Sequence, residues 1–179
     1  MDKAVVLQTF LDQLRRLGPS AVRNYQDARP WTVDATRALV QTGSALVPNG
    51  TPVAKGSPDR WGRKEYLTLD LVVLQDESWG PPALVAEHEN HCHANRVRYN
   101  AWKLVSIDSP VRILVAYYGQ WKSVATLGDL VTVVSEVTGA NSRKELILIA
   151  GDWLATPKTM NDLLKCFSVV MFRGKSTES

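Results

Sequence analysis

The chain has 179 residues, 45% hydrophobic and 22% charged, with a formal net charge of +3 and a pI near 8.9. That length and balance suit one domain with a real core and exclude a disordered or collagen-like chain, while the mild positive charge is compatible with a polyanionic partner without requiring one. No apolar run approaches the roughly eighteen residues of a membrane span. The opening residues lack the basic and apolar regions of a secretory leader, and only two cysteines occur, Cys92 and Cys166. The expectation is a protein of the reducing cytoplasm with no membrane partner, its thiols serving as small buried filler.

Leu7, Phe10, Leu11, Leu14 and Leu17 recur at the spacing of one helix face, which predicts a helix over residues 3–17, stopped by Gly18-Pro19. A second helix is predicted from about Thr32 to Leu46, or from Trp31 after Pro30, with Ala35, Ala38, Leu39 and Leu46 inward. Together these form an N-terminal helical part, 1–47. Residues 48–62 are rich in Pro, Gly, Ser and Lys and read as a loop. It is either a plain solvated connection or a flap presenting Lys55, Asp59, Arg60 and Trp61 to a ligand.

Beyond Gly62 the pattern becomes β-prone. Residues 65–74 predict one strand, Gly80-Pro81-Pro82 a turn, and Ala83 to Glu89 a second strand, antiparallel to the first. A helix follows over Ala94–Val105, with Val97, Ala101 and Leu104 on its buried stripe. The nearly all-apolar strand Val111–Tyr118 is next, then a helix over Ala125–Thr138 with Leu127, Leu130, Val131 and Val134 inward. Glu145–Ala150 is predicted as a strand, Asn161–Leu164 as a short helix, Phe167–Phe172 as a strand, and 173–179 as a frayed tail. Strands that are apolar on both faces are covered on both sides. The predicted fold is therefore a single α/β domain over 1–179, a three-layer αβα sandwich with a mixed central sheet and its core at 63–172.

Side chains alternate along a strand, so Glu87 and Glu89 share a face and His88 points to the other. Asp70 falls in the middle of the apolar run from Leu67 to Val73, and Glu87 directly follows Ala83-Leu84-Val85-Ala86. A half-buried carboxylate is costly unless it is paired or binds a metal. Two such anomalies on neighbouring strands suggest a single cause, a divalent-metal site formed by Asp70, Glu87 and Glu89. Such oxygens suit Mg²⁺ at about 2.0–2.1 Å and leave positions for water and a substrate phosphate. The other account is salt bridging, Asp70 to Arg63 or Lys64 and Glu87 or Glu89 to Arg96 or Lys103.

From Glu65 to Tyr118 the arrangement resembles the PD-(D/E)xK nuclease superfamily, with its restriction-endonuclease-like fold. The resemblance rests on Asp70 late in one strand, Glu87-His88-Glu89 in the next, then a helix carrying Lys103 and an apolar strand. It implies that Asp70 and Glu87 ligate Mg²⁺, with Mn²⁺ as a substitute, in a mixed sheet with flanking helices. Leu69 stands in place of the motif's Pro, and Glu89 in place of its usual Lys. Some members with Glu at that position use it for a second metal or as a base, and others recruit a Lys from the following helix, as Lys103 could be.

The implied activity is metal-dependent endonucleolytic hydrolysis of phosphodiester bonds in DNA, with Asp70, Glu87, Glu89 and Lys103 as the catalytic set. Family members often cut as dimers, which makes a homodimer compatible with the resemblance. The missing Lys leaves an alternative, a catalytically inactive member acting as a nucleic-acid-binding or assembly module. Members often add a Glu from the first core helix; residues 32–46 offer only Asp34, with Asp27 and Glu65 outside them.

All three histidines, His88, His91 and His93, lie in one short stretch with Cys92. They raise a zinc alternative with His91, Cys92 or His93 as ligands, but residues 91–93 are too close for all three to converge readily on one tetrahedral ion, and no distant Cys–His pair completes a set. They read as loop residues, with His88 a hydrogen-bonded core histidine. Arg96, Arg98 and Lys103, interleaved with Tyr99 and Trp102, suit phosphate contact and base stacking, or else a solvated helix face. Lys55, Arg60, Arg63 and Lys64 flank the first strand. No phosphate-cradling G-x-x-x-x-G-K-[ST] or G-x-G-x-x-G sequence occurs.

Overall fold

Asp2 accepts the backbone N–H of Ala4 at 2.9 Å and caps the first helix, α1 (Lys3–Leu17), where the apolar spacing predicts it. Val6, Phe10 and Leu14 are fully buried along its inner face. Gly18, at φ +71°, ends α1 in a conformation that glycine adopts without penalty. Pro19 then opens a short helix, α2 (Pro19–Asn24), because its fixed φ suits a first helical position. The dipeptide expected only to stop a helix both ends one and begins another. The third helix, α3 (Ala28–Leu46), starts earlier than predicted, capped by Asp27, which accepts the N–H of Arg29. Pro30 is accommodated in its first turn, where no N–H is required.

The computed structural model describes residues 1–54, 69–75, 80–119, 123–141 and 144–173. Lys55, Asp59, Arg60, Trp61, Arg63, Lys64, Glu65 and the tail beyond Arg173 lie outside the described residues. Within them, the expected loop after α3 instead yields a strand, β1 (Thr51–Ala54), paired antiparallel with β2 (Leu71–Leu74). As an edge strand β1 tolerates Pro52, which lacks a ladder donor. Asp70 stands at a bend immediately before β2, rather than in mid-strand as predicted.

Then follow β3 (Leu84–Glu89), α4 (Ala94–Ser106), β4 (Val111–Tyr118), α5 (Leu127–Asn141), β5 (Leu146–Asp152), α6 (Met160–Lys165) and β6 (Phe167–Phe172). The six strands lie in sequential order in one mixed sheet. β3, β4 and β5 are parallel through the α4 and α5 crossovers, and β1, β2 and β6 run antiparallel to their neighbours. α3 packs on β1–β3, and α4 and α5 pack on β3–β6. Alternate residues of β3 reach the two helical layers: Glu87 meets Lys103 of α4, while His88 meets Tyr117, which is bonded to Trp31 of α3. β4 and β5 are buried on both faces, each fully buried Leu or Ile contributing roughly 1.5–3 kcal/mol. Among the described residues no helix is long and apolar enough to cross a membrane.

One charged residue in this core sets the position of α4. Arg112, on β4, is buried, and its guanidinium donates from Nε to Leu104 O (3.1 Å) and Ile107 O (3.2 Å) and from Nη2 to Ile107 O (2.9 Å). A further donation, from Nη1 to Glu145 O at 3.4 Å, ties the end of α4 to the start of β5. A cation suits the carbonyl end of a helix, and these donors satisfy acceptors that the helix cannot. Replacing Arg112 with Met is expected to lower unfolding stability by about 2–4 kcal/mol in urea titrations, through the stranded carbonyls, with Lys recovering part of the loss.

Candidate functional site

Leu71, the first residue of β2, lies opposite Ala86 of β3, and Asp70, at the bend just before it, lies beside Glu87. Asp70 is fixed by its own carboxylate, whose Oδ2 accepts the backbone N–H of His88 at 2.9 Å. Glu87 is only 3% exposed. Lys103, reaching back from the last turn of α4, places its Nζ 2.5 Å from Glu87 Oε1. The ammonium lowers the Glu87 carboxyl both as a hydrogen-bonding partner and as a charge. Burial, and then the charge of Asp70, push the Glu87 carboxyl up to about 8 against the downward pull of Lys103.

Glu89 shares the face of Glu87, as strand alternation requires, but its oxygens are each engaged elsewhere. Oε1 accepts the N–H of His91 at 2.8 Å, and Oε2 accepts Asn100 Nδ2 at 3.0 Å. Glu89 thus clamps α4 and the loop before it against β3. The structure brings together Asp70, Glu87 and Lys103, and sets Glu89 beside them as an anchor. Among the described residues no group of three or more His, Cys, Asp or Glu side chains is gathered about one point, so the pair Asp70 and Glu87 is the carboxylate set the cleft offers an ion.

All four residues line a cleft of about 1090 Å³ between α3 and α4. Its α3 wall carries Thr32, Thr36 and Arg37, and its α4 wall carries Arg96, Tyr99 and Asn100. The α3 wall was not singled out in the sequence; its only signal is the polar stripe of the second predicted helix. Asn90, in the loop after β3, ties that loop to the α3 wall, donating from Nδ2 to Ala28 O at 3.2 Å and to Thr32 Oγ1 at 2.5 Å.

His88 behaves as a core histidine. Its Nε2 lies 3.1 Å from Tyr117 Oη, which accepts the Trp31 indole N–H at 2.7 Å, and burial holds the ring down to about 4, hence neutral. Cys92 is buried, and His93 Nδ1 accepts the N–H of Asn95 as the cap of α4. His91 lines the cleft. Asp27 caps α3, and buried Asp34 accepts Asn24 Nδ2 at 2.8 Å, so neither contributes to the cleft. Of the expected basic group, Arg98 is taken by Glu136 on α5, with Nε 2.6 Å from Oε2. Compared with protein-family models, curated proteins and solved structures, the chain matches none of them.

Glu87 has a folded pKa above its ordinary value of 4.5, so its contribution to stability is fully present below 4.5 and is lost as the pH rises through about 8. Glu87→Gln should therefore gain on wild type as the pH is raised through that window, by on the order of 1–3 kcal/mol in metal-free buffer. His88, lowered from 6.5 to about 4, loses its contribution in the opposite sense, as the pH falls through those values. It is common to both proteins and cancels. Urea unfolding of the pair at about pH 5 and about pH 9 measures the difference, and a constant gap would show that Glu87 is not held in a charge-opposing environment.

Proposed function

We propose that the chain is a metal-dependent nuclease of the restriction-endonuclease-like fold, hydrolysing phosphodiester bonds in DNA through Asp70, Glu87 and Lys103. The observation that carries this reading is the apposition of Asp70, at the bend before β2, and Glu87 on β3, with the Lys103 ammonium 2.5 Å from Glu87, in an open cleft. The mixed sheet with flanking helices, and the order of acid, acid-bearing strand, lysine-bearing helix and apolar strand, support the fold assignment.

The donor set fits Mg²⁺. Two hard carboxylate oxygens facing one cleft suit an ion that keeps its remaining positions for water and phosphate. Burial, and then repulsion from Asp70, raise Glu87, and a dication would offset both by neutralising the paired charges. Asp70 and Glu87 would hold it, and when bound it supplies charge neutralisation at the phosphate and a more acidic water. Lys103, at the Glu87 carboxylate, is placed to steady an attacking water or a phosphate oxygen. Arg37 and Arg96 offer phosphate contacts from opposite walls. Glu89, in the family's usual lysine position, acts as a positioning residue for the helix that supplies the lysine.

The inactive-module reading draws on the same ion pair, since Lys103 already balances Glu87. Metal titration and cleavage assays separate the two. Asp70→Asn and Glu87→Gln are expected to abolish Mn²⁺ binding and lower cleavage of DNA oligonucleotides by about a hundredfold or more, and Lys103→Met to retain metal while losing about a hundredfold in rate. A wild-type chain that neither binds Mn²⁺ nor cuts DNA would falsify the enzymatic reading.

A further inference from the structure

Tyr99 and Trp102 stand apart from the other described aromatic residues of the chain. Trp31 and Trp153 are buried, whereas Tyr99 and Trp102 are 56% and 55% exposed. The two rings stack on each other on the surface of α4, with centroids 6.0 Å apart and planes at 26°. Their helix spacing continues the cleft wall outward. Tyr99 lines the cleft, with Lys103 Nζ 5.4 Å from its ring centroid, and that ammonium contacts Glu87. A continuous path thus leads from the candidate site through an ammonium to two exposed aromatic side chains.

Single exposed apolar residues are ordinary; two large rings in contact, contiguous with a charged cleft, form a patch that suits a ligand. Its neighbours define that ligand. Arg96 on the same helix and Arg37 on the facing wall are exposed and line the cleft, so the surface pairs cations for phosphates with rings for flat apolar groups. In a duplex the base faces are covered by their neighbours, and a ring on the side of a helix reaches them only if the base is drawn out of the stack. In a single strand every base offers a face.

We infer that the cleft takes DNA with unpaired bases, Tyr99 and Trp102 stacking on the bases beside a phosphate contacted by Lys103, Arg37 and Arg96. This rests on the nuclease reading for the position of that phosphate, while the stacking itself is testable without cleavage. Fluorescence anisotropy of the full chain with a labelled single-stranded DNA oligonucleotide, its duplex form and an RNA of the same sequence, in EDTA, reads the binding. Single-stranded DNA is expected to bind about tenfold or more tightly than duplex. Tyr99→Ala and Trp102→Ala should each weaken that binding about tenfold, leave the salt dependence unchanged, and be spared in Tyr99→Phe, which keeps the ring.

Both side chains are exposed, so circular dichroism of the variants should match wild type. Duplex binding as tight as single-stranded, alanine variants that bind like wild type, or tighter binding of the RNA would each overturn the inference. The two readings fail separately when cleavage is then measured in Mg²⁺. Duplex cutting that is indifferent to Trp102→Ala removes this inference and keeps the nuclease. Ring-dependent binding of single strands with no cutting keeps the inference and removes the nuclease.

Discussion

A carboxylate that is almost wholly buried, with a second carboxylate beside it, is a strong electrostatic constraint on a fold. At Glu87 it is answered by the Lys103 ammonium, carried on a helix that several neighbours fix in place. Buried ion pairs add little net stability, but separating one is costly, typically about 3–5 kcal/mol, so the partners' supports must be rigid. α4 is fixed from three directions. Val97, Ala101 and Leu104 bury its apolar stripe, Asn100 binds Glu89, and Arg112 grips the carbonyls at its C-terminal end. The rotation and axial position of the helix are thereby set independently of Lys103, which inherits its place from them.

β3 divides the molecule's chemistry by the alternation of its side chains. Glu87 and Glu89 face α4 and the cleft. His88, between them, faces an aromatic cluster in which Trp31, Tyr25, Tyr117 and Phe167 meet largely edge to face. Gly151 permits this packing, since a Cβ there would lie 2.4 Å from Tyr117 Cδ1. The rigid side stabilises the strand, and the strand's backbone in turn holds Asp70 through the N–H of His88. Asp70 therefore owes its position to a side-chain hydrogen bond at a bend, and not to a place within the ladder.

That distinction marks the limit of what the sequence disclosed. Long periodic segments were legible, because one buried stripe or one apolar run has few alternatives: α1, α4, β4 and β6 lie where pattern puts them. Short elements governed by one or two residues were not. α2 depends on Pro19 acting as a start, and β1 on an edge position that excuses Pro52. At the site, the pairing of Asp70 with Glu87 followed from antiparallel neighbours, but the commitments of Glu89 depend on side-chain torsions and on the phase of α4, which no spacing rule supplies. Arg112 is the instructive omission. The reasoning that singled out Asp70 and Glu87 applies equally to an arginine in an apolar strand, yet its partners are main-chain carbonyls, invisible as residue types.

The exchange of roles between Glu89 and Lys103 has a structural logic on the nuclease reading. A lysine on the strand two residues beyond Glu87 would be held by the ladder itself. A lysine on a helix is held only as well as the helix is, and a slip of one residue along the axis moves it by about 1.5 Å, enough to break a 2.5 Å contact. Such a site needs an additional tie between strand and helix close to the lysine. Asn100 lies one turn before Lys103, and its partner is Glu89, two residues beyond Glu87 on the strand. On that reading Glu89, from the strand, supplies the bond that aligns the helix carrying Lys103, so the two side chains work as one unit.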